Sequence, residues 1–201
     1  MNASLHHAGL AALAEAGHDV EVSDLYAMQW KPVVDREDFA VGDERLNIGR
    51  ASKQALDEGM LSADIREEQA KLNRADLVVV QFPLWWFGPP AILKGWIDRV
   101  FVRGFAYGIP DPDRPGHTLR YGNGGLAGKR ALAVVTAGGP AEAYHQRGID
   151  GSLDDLLYPL LHGTLFYSGM GVLPTFAVHG PISLSVPEYV YDANEWRTQL
   201  V

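Results

Sequence analysis

The sequence predicts an α/β domain built on a doubly wound parallel sheet. Three observations carry that expectation. Residues 77–82 (LVVVQF) and 131–136 (ALAVVT) are short, nearly continuous apolar runs, the pattern of strands covered on both faces. Stretches with helical spacing lie before, between and after them, so strand and helix alternate along the chain. Each run stops at strong punctuation, Pro83 in one case and Ala137-Gly138-Gly139 in the other. A length of 201 residues with 47% hydrophobic content suits one domain with a substantial core.

Taken in order, Leu5, Gly9, Ala12, Leu13 and Ala16 recur at helical spacing, and Gly17 supplies a stop. Residues 19–25 alternate Val20, Val22 and Leu25 and read as a short strand. Residues 32–59 are polar and mixed, an excursion with only local structure, in which Asp35, Glu37, Asp38, Asp43 and Glu44 are expected to be solvated. Ser62 is placed to cap a helix that carries Ile65, Gln69 and Leu72 on one stripe. Gln69 is therefore polar at a core-facing spacing. A second helix begins near Pro90, with a wide apolar face of Ile92, Leu93, Trp96, Ile97, Val100 and Phe101. Residues 109–128, rich in Gly, Pro, Asp and Arg, form a loop. A leucine-rich helix over 153–166 should kink at Pro159, which lacks an amide hydrogen. A strand over 172–178 and a helix over 191–200 close the chain.

Composition narrows the function classes. With 25 acidic and 17 basic residues the formal charge is −8, which argues against a nucleic-acid binder, and no Lys/Arg cluster suggests one. The absence of cysteine removes disulfides, thiolate metal sites and cysteine nucleophiles, and it fits a cytoplasmic location. No apolar run reaches the roughly 18 to 20 residues of a membrane span. Gly122-Asn123-Gly124 precedes a strand instead of following one, the wrong order for a dinucleotide fingerprint. His117, His162 and His179 are expected to be surface or satisfied histidines, and no spacing points to a metal.

In a doubly wound sheet, ligands bind outside the carboxyl ends of the strands. The two loops there are unusual. The first reads Pro83-Leu84-Trp85-Trp86-Phe87-Gly88-Pro89-Pro90: three consecutive aromatics cannot all enter a core behind a tight turn. A planar, amphipathic ligand is their natural partner, since rings stack on aromatics while backbone amides meet a polar edge. Capping of the sheet or a dimer contact is the alternative. The second loop reads Thr136-Ala137-Gly138-Gly139-Pro140-Ala141-Glu142-Ala143-Tyr144; its glycines permit close approach to amide donors, or form a plain turn.

Residues 81–96, Gln81-Phe82-Pro83-Leu84-Trp85-Trp86-Phe87-Gly88-Pro89-Pro90-Ala91-Ile92-Leu93-Lys94-Gly95-Trp96, continuing to Arg99-Val100-Phe101, resemble the signature segment of the FAD-dependent NAD(P)H:quinone oxidoreductases of the DT-diaphorase type. The likeness extends to Asp24-Leu25-Tyr26-Ala27-Met28, to Leu61-Ser62-Ala63-Asp64-Ile65 with Gln69, to Phe105-Ala106-Tyr107, and to residues 136–151.

The resemblance implies a flavodoxin-like fold and a homodimer. It implies FAD, in preference to FMN, as the cofactor, and NAD(P)H as co-substrate. The reaction would be two-electron, ping-pong reduction of a quinone, with azo or nitro aromatics as further acceptors. It implies that Asn2, Gln69, Pro83, Leu84, Trp85, Trp86, Phe87, Thr136, Gly138, Gly139 and Tyr144 contact the flavin. Tyr144 and the amides of Gly138 and Gly139 would support the chemistry. Trp86, Phe87, Tyr107 and Asp150 would line the acceptor pocket, Tyr107 at its rim. Two departures stand out. Asp150 occupies the place of the family's histidine, where an ionised carboxylate repels a reduced flavin unless protonated or turned away. The family also has an apolar strand and a polar loop ahead of its first helix, so the expected sheet lacks its first, central strand and the chain would bind FAD weakly. Two other readings follow: a flavin-binding regulatory partner of a membrane ion-efflux system, and an inactive fragment.

Overall fold

A computed structural model of the chain describes residues 2–40, 45–180 and 194–198. Its helices are α1 (Asn2–Glu15), α2 (Ile48–Asp57), α3 (Ala63–Arg74), α4 (Ala91–Val100) and α5 (Leu153–Leu160). Its strands are β1 (Leu77–Pro83), β2 (Arg130–Ala137), β3 (Gly171–Val172) and β4 (Phe176–His179), all parallel, with β2 paired to the other three.

Strand β2 shows why its sequence is apolar throughout. Ala131, Ala133 and Val135 face a large core with Ile65 and Leu72 of α3, Leu93, Trp96, Ile97 and Val100 of α4, and Leu157 and Leu160 of α5. The intervening Leu132 and Val134 face a smaller core with Leu5 of α1, Phe176, Val178 and Trp196. Side chains alternate along a strand, so covering both faces demands hydrophobicity at every position. The result is three layers. Residues 194–198 are helical and belong to the α1 layer, where Trp196 Nε1 donates to the Leu5 carbonyl at 3.0 Å. The remainder of the helix expected over 191–200 lies outside the described residues.

The structure corrects five expectations. Residues 19–25 form no strand: they pair with no strand among the described residues, and Val20 and Val22 are exposed. A strand needs a neighbour for its amides, and β1 is paired only with β2 among the described residues. Within the excursion, residues 48–57 fold as α2, capped by Asn47, whose side-chain oxygen accepts from Arg50 N at 3.0 Å. Its buried face is made of Ala51, Ser52 and Ala55, too small and too polar to register as a stripe.

Asp38 is not solvated but fully buried, ion-paired with buried Arg99 at 2.8 Å and with Lys31 at 2.9 Å. Asp43 and Glu44 lie outside the described residues. Ser62 occupies the cap position of α3, yet its hydroxyl donates to Asp64 in place of accepting an amide. The strand expected over 172–178 is broken in two. Residues 173–175 face only Leu132 and Ala133 on β2, a bulge that accommodates Pro174. Just beyond Pro159 the α5 hydrogen bonding gives way to a π-helical turn, Leu161–Phe166.

Candidate functional site

Parallel register brings the two unusual loops together. Pro83 of β1 pairs with Thr136 of β2, so both strands end at one level, and Leu84 N donates to the Thr136 carbonyl at 2.9 Å. The aromatic loop then makes a two-residue turn. Trp85 N donates to Gly88 O at 3.0 Å, Gly88 N donates to Trp85 O at 3.1 Å, and the residues between, Trp86 and Phe87, have φ of +48° and +60°. This is the left-handed pair that such turns normally fill with Asn-Gly, and each bulky residue there costs of order 1–3 kcal/mol. The backbone strain lifts Trp86 into solvent, 96% exposed, with Trp85 and Phe87 also exposed. Strain that displays aromatics in water has no folding benefit, which makes the turn a candidate surface for a ligand or a second subunit.

Facing it, Gly138 and Gly139 follow β2, and their N–H groups donate to no described residue. The turn is held from behind by Gly180 N, which donates to Ala137 O at 2.9 Å and Gly139 O at 3.0 Å. A Cβ on Gly138 would meet nothing within 4 Å, so that side is open. A Cβ on Gly139 would lie 3.5 Å from the Tyr144 hydroxyl and 3.6 Å from Asp150 Oδ2. The loop after β2 folds back as a short turn, Ala141–Tyr144, fastened by Asp150 N donating to Ala143 O at 3.0 Å. Thus Gly139, Tyr144 and Asp150 converge beside the open amides.

The N-terminus of α1 reaches the same edge. Asn2 Nδ2 donates to the Thr136 hydroxyl at 3.1 Å, and Gln81 Nε2 donates to the Asn2 carbonyl at 2.6 Å. Asn2, Pro83, Leu84, Trp85, Trp86, Phe87, Thr136, Gly138, Gly139, Tyr144 and Asp150 therefore share one end of the sheet. Gln69 and Tyr107 do not. Gln69 is buried, and its Nε2 donates to Val100 O at 2.9 Å, tying α3 to the last residue of α4. Helix α4 starts at the aromatic loop and its ten residues rise about 15 Å away from it. A polar residue on an apolar stripe had a partner in a neighbouring helix, not a ligand in its own chain. Tyr107 follows α4 and sits near Gly49, beyond the same distal end.

One further residue at this edge is a histidine that the sequence leaves as a surface or satisfied one. His179, at the end of β4 opposite Ala137, lies ring to ring with Tyr144 at 5.4 Å. Its place in the last position of a strand was the available signal. The donor set and the exposed aromatic turn fit a planar ring system with a polar, electron-accepting edge: a flat apolar face on one side and unpartnered amides on the other.

Known proteins agree with this fold. The flavodoxin-like fold family model matches residues 1–200. The chain is 51% identical over 178 residues to a ribosyldihydronicotinamide dehydrogenase-like protein of Penicillium crustosum, covering 88% of this chain and 67% of that one. It is 43% identical over 175 residues to the human ribosyldihydronicotinamide dehydrogenase [quinone], covering 86% and 72%. A solved structure from Klebsiella pneumoniae, assigned to the quinone reductases, superposes with a TM-score of 0.95 at 45% identity, covering 99% of this chain and 78% of that one. No helix among the described residues is long and apolar enough to cross a membrane. The chain belongs to the flavodoxin-like fold family, among the quinone-reducing ribosyldihydronicotinamide and NAD(P)H dehydrogenases.

Proposed function

We propose that the protein is a flavin-dependent quinone reductase that takes a hydride from a dihydronicotinamide, NAD(P)H or its ribosyl analogue, and delivers two electrons to a quinone. The observation that carries this is the meeting of the strained tryptophan turn with the twin-glycine turn at one strand edge. The names of the relatives supply the acceptor and the reductant class. A bound flavin, FAD in this reading, would supply the reversible two-electron chemistry.

The chain's own residues have separable tasks. Trp85, Trp86 and Phe87 offer a flat apolar wall that excludes water and receives aromatic rings. Leu84 and Pro83 fix that wall to the end of β1, and Asn2 and Thr136 close the floor. The amides of Gly138 and Gly139 meet negative charge on a ring edge, and the Tyr144 hydroxyl donates to the same region. Asp150 opposes that charge when ionised, so proton delivery falls to Tyr144 in preference to a residue at position 150. Tyr107 enters the pocket only from a second copy of the chain, since in one chain it lies beyond the far end of α4. Gln69 acts on the flavin only by the same route. The working unit is thus a homodimer, and the expected location is the cytoplasm.

The test is direct. The purified protein, supplied with FAD or FMN, is passed through a desalting column, and the retained flavin is identified by chromatography and its visible spectrum. Turnover is then followed with a benzoquinone and NADH, NADPH or ribosyldihydronicotinamide. Retained FAD, ping-pong kinetics and a dimer in sedimentation are expected. A flavin-loaded protein that consumes no dihydronicotinamide with any quinone would refute the reading.

A further inference from the structure

We propose that the loop joining α4 to β2 carries a second ligand site, which takes a phosphate monoester. The loop lines an open surface cleft of about 350 Å³, formed by Arg114, His117, Thr118, Arg120, Tyr121 and Asn123. It precedes β2, so it lies at the amino edge of the sheet, opposite the flavin-site loops. In a chain of net charge −8, no carboxylate lines this cleft.

Its lining side chains carry donors and include no carboxylate. The nearby Asp111 carboxylate is consumed: it accepts from Arg114 Nε at 2.8 Å and from Asp113 N at 3.0 Å, and only 7% of the residue is exposed. That bond orients Arg114 and leaves its terminal N–H groups over. The Asn123 side-chain oxygen accepts from Arg120 N at 3.2 Å, so its amide nitrogen remains to donate. Neither Arg120 nor His117 has a carboxylate partner among the described residues. Two arginines, a histidine, an asparagine, a threonine and a tyrosine then line one open space. A compact oxyanion that accepts on all sides satisfies such a set, and a phosphate dianion does so better than a carboxylate or a halide.

The loop is also built to hold this shape. Asp111 N donates to His117 O at 3.0 Å, and Leu119 N to Ile109 O at 2.8 Å, closing it like a small hairpin. Tyr121 has φ of +57°, a strained conformation, and is anchored by its N–H to Tyr167 O at 2.9 Å and by ring contacts with His162, Phe166 and Tyr167. Preorganisation of this kind lowers the entropic cost of binding. The volume exceeds that of one phosphate, leaving room for part of the group that bears it.

The flavin-loaded protein is titrated with inorganic phosphate at constant ionic strength, chloride serving as the control ion. Backbone amide resonances of residues 114–123 are followed by nuclear magnetic resonance. Saturable shifts confined to this loop are expected with phosphate and not with chloride. Arg120→Ala combined with His117→Asn should weaken the effect about tenfold or more, with the amide spectrum of β1 and β2 unchanged. Shifts equal in chloride, or retained in the double variant, would overturn the proposal. A second arm compares NADPH with NADH as reductants. A KM that rises in the double variant for NADPH alone identifies the phosphate as the co-substrate's. Loss of phosphate binding with both KM values unchanged identifies an independent anion site. The phosphate titration does not depend on quinone turnover, so it stands or falls separately from the proposed activity.

Discussion

At the scale of single residues, the aromatic turn trades stability for display. Trp86 and Phe87 occupy left-handed positions that Asn and Gly fill without strain. Replacing the pair, Trp86→Asn with Phe87→Gly, should therefore raise the stability of the flavin-free protein by about 1 kcal/mol in urea unfolding. The same variant should no longer retain flavin on a desalting column. A variant that is less stable and still yellow would show that the turn exists for folding. Gly139 gives a second test. An added Cβ would stand 3.1 Å from Tyr144 Cε2, so Gly139→Ala must push the half-exposed tyrosine aside. Little change in unfolding midpoint and a fall of about tenfold in kcat are expected, since a displaced donor is lost mainly from the transition state. The types of these residues were legible in the sequence. Their left-handed backbone was not, because nothing local distinguishes a strained Trp-Phe pair from a relaxed one.

Among the elements, α4 connects the site to the polar excursion. Gly95 faces the backbone of Pro32, where a Cβ would sit 2.1 Å from the Pro32 carbonyl oxygen. That segment cannot retreat: Arg99 of α4 holds it through Asp38 and through the Lys31 carbonyl at 3.1 Å, and the guanidinium lies 4.4 Å from the Trp30 ring centre. Gly95→Ala should cost about 3 kcal/mol in equilibrium urea unfolding, by overpacking against an immovable backbone. A cost under about 1 kcal/mol would mean that residues 30–40 yield easily. The apolar stripe of α4 was readable by its spacing. Its glycine and arginine were not, since both are defined by residues some sixty positions earlier in the chain. The same holds for Asp38, which its polar surroundings disguised as a surface residue.

For the molecule as a whole, acid response follows from its carboxylates. Burial works against ionised Asp64, but hydrogen bonds from Arg99 and Ser62 outweigh it and hold the carboxyl below its ordinary value. Asp111 is lowered first by Arg114, and Asp35 first by Lys31. A group lowered on folding stabilises above its unfolded value and loses that contribution as pH falls through the folded one. Stability should thus be flat from about pH 7 to 5 and decline below about pH 4. Asp64→Asn should flatten the decline in urea unfolding followed across pH. A decline that begins above pH 6 would assign acid sensitivity to histidines. By itself the sequence determined the alternation of strand and helix, the strands at 77 and 131, and the two loops at their ends, because hydrophobic period and chain punctuation are local properties. Only the tertiary structure decided that residues 19–25 are not a strand, that α2 forms, and that Gln69 and Tyr107 lie away from their own chain's site. Each of those depends on what a segment finds beside it, and a neighbour distant in sequence leaves no trace in local pattern.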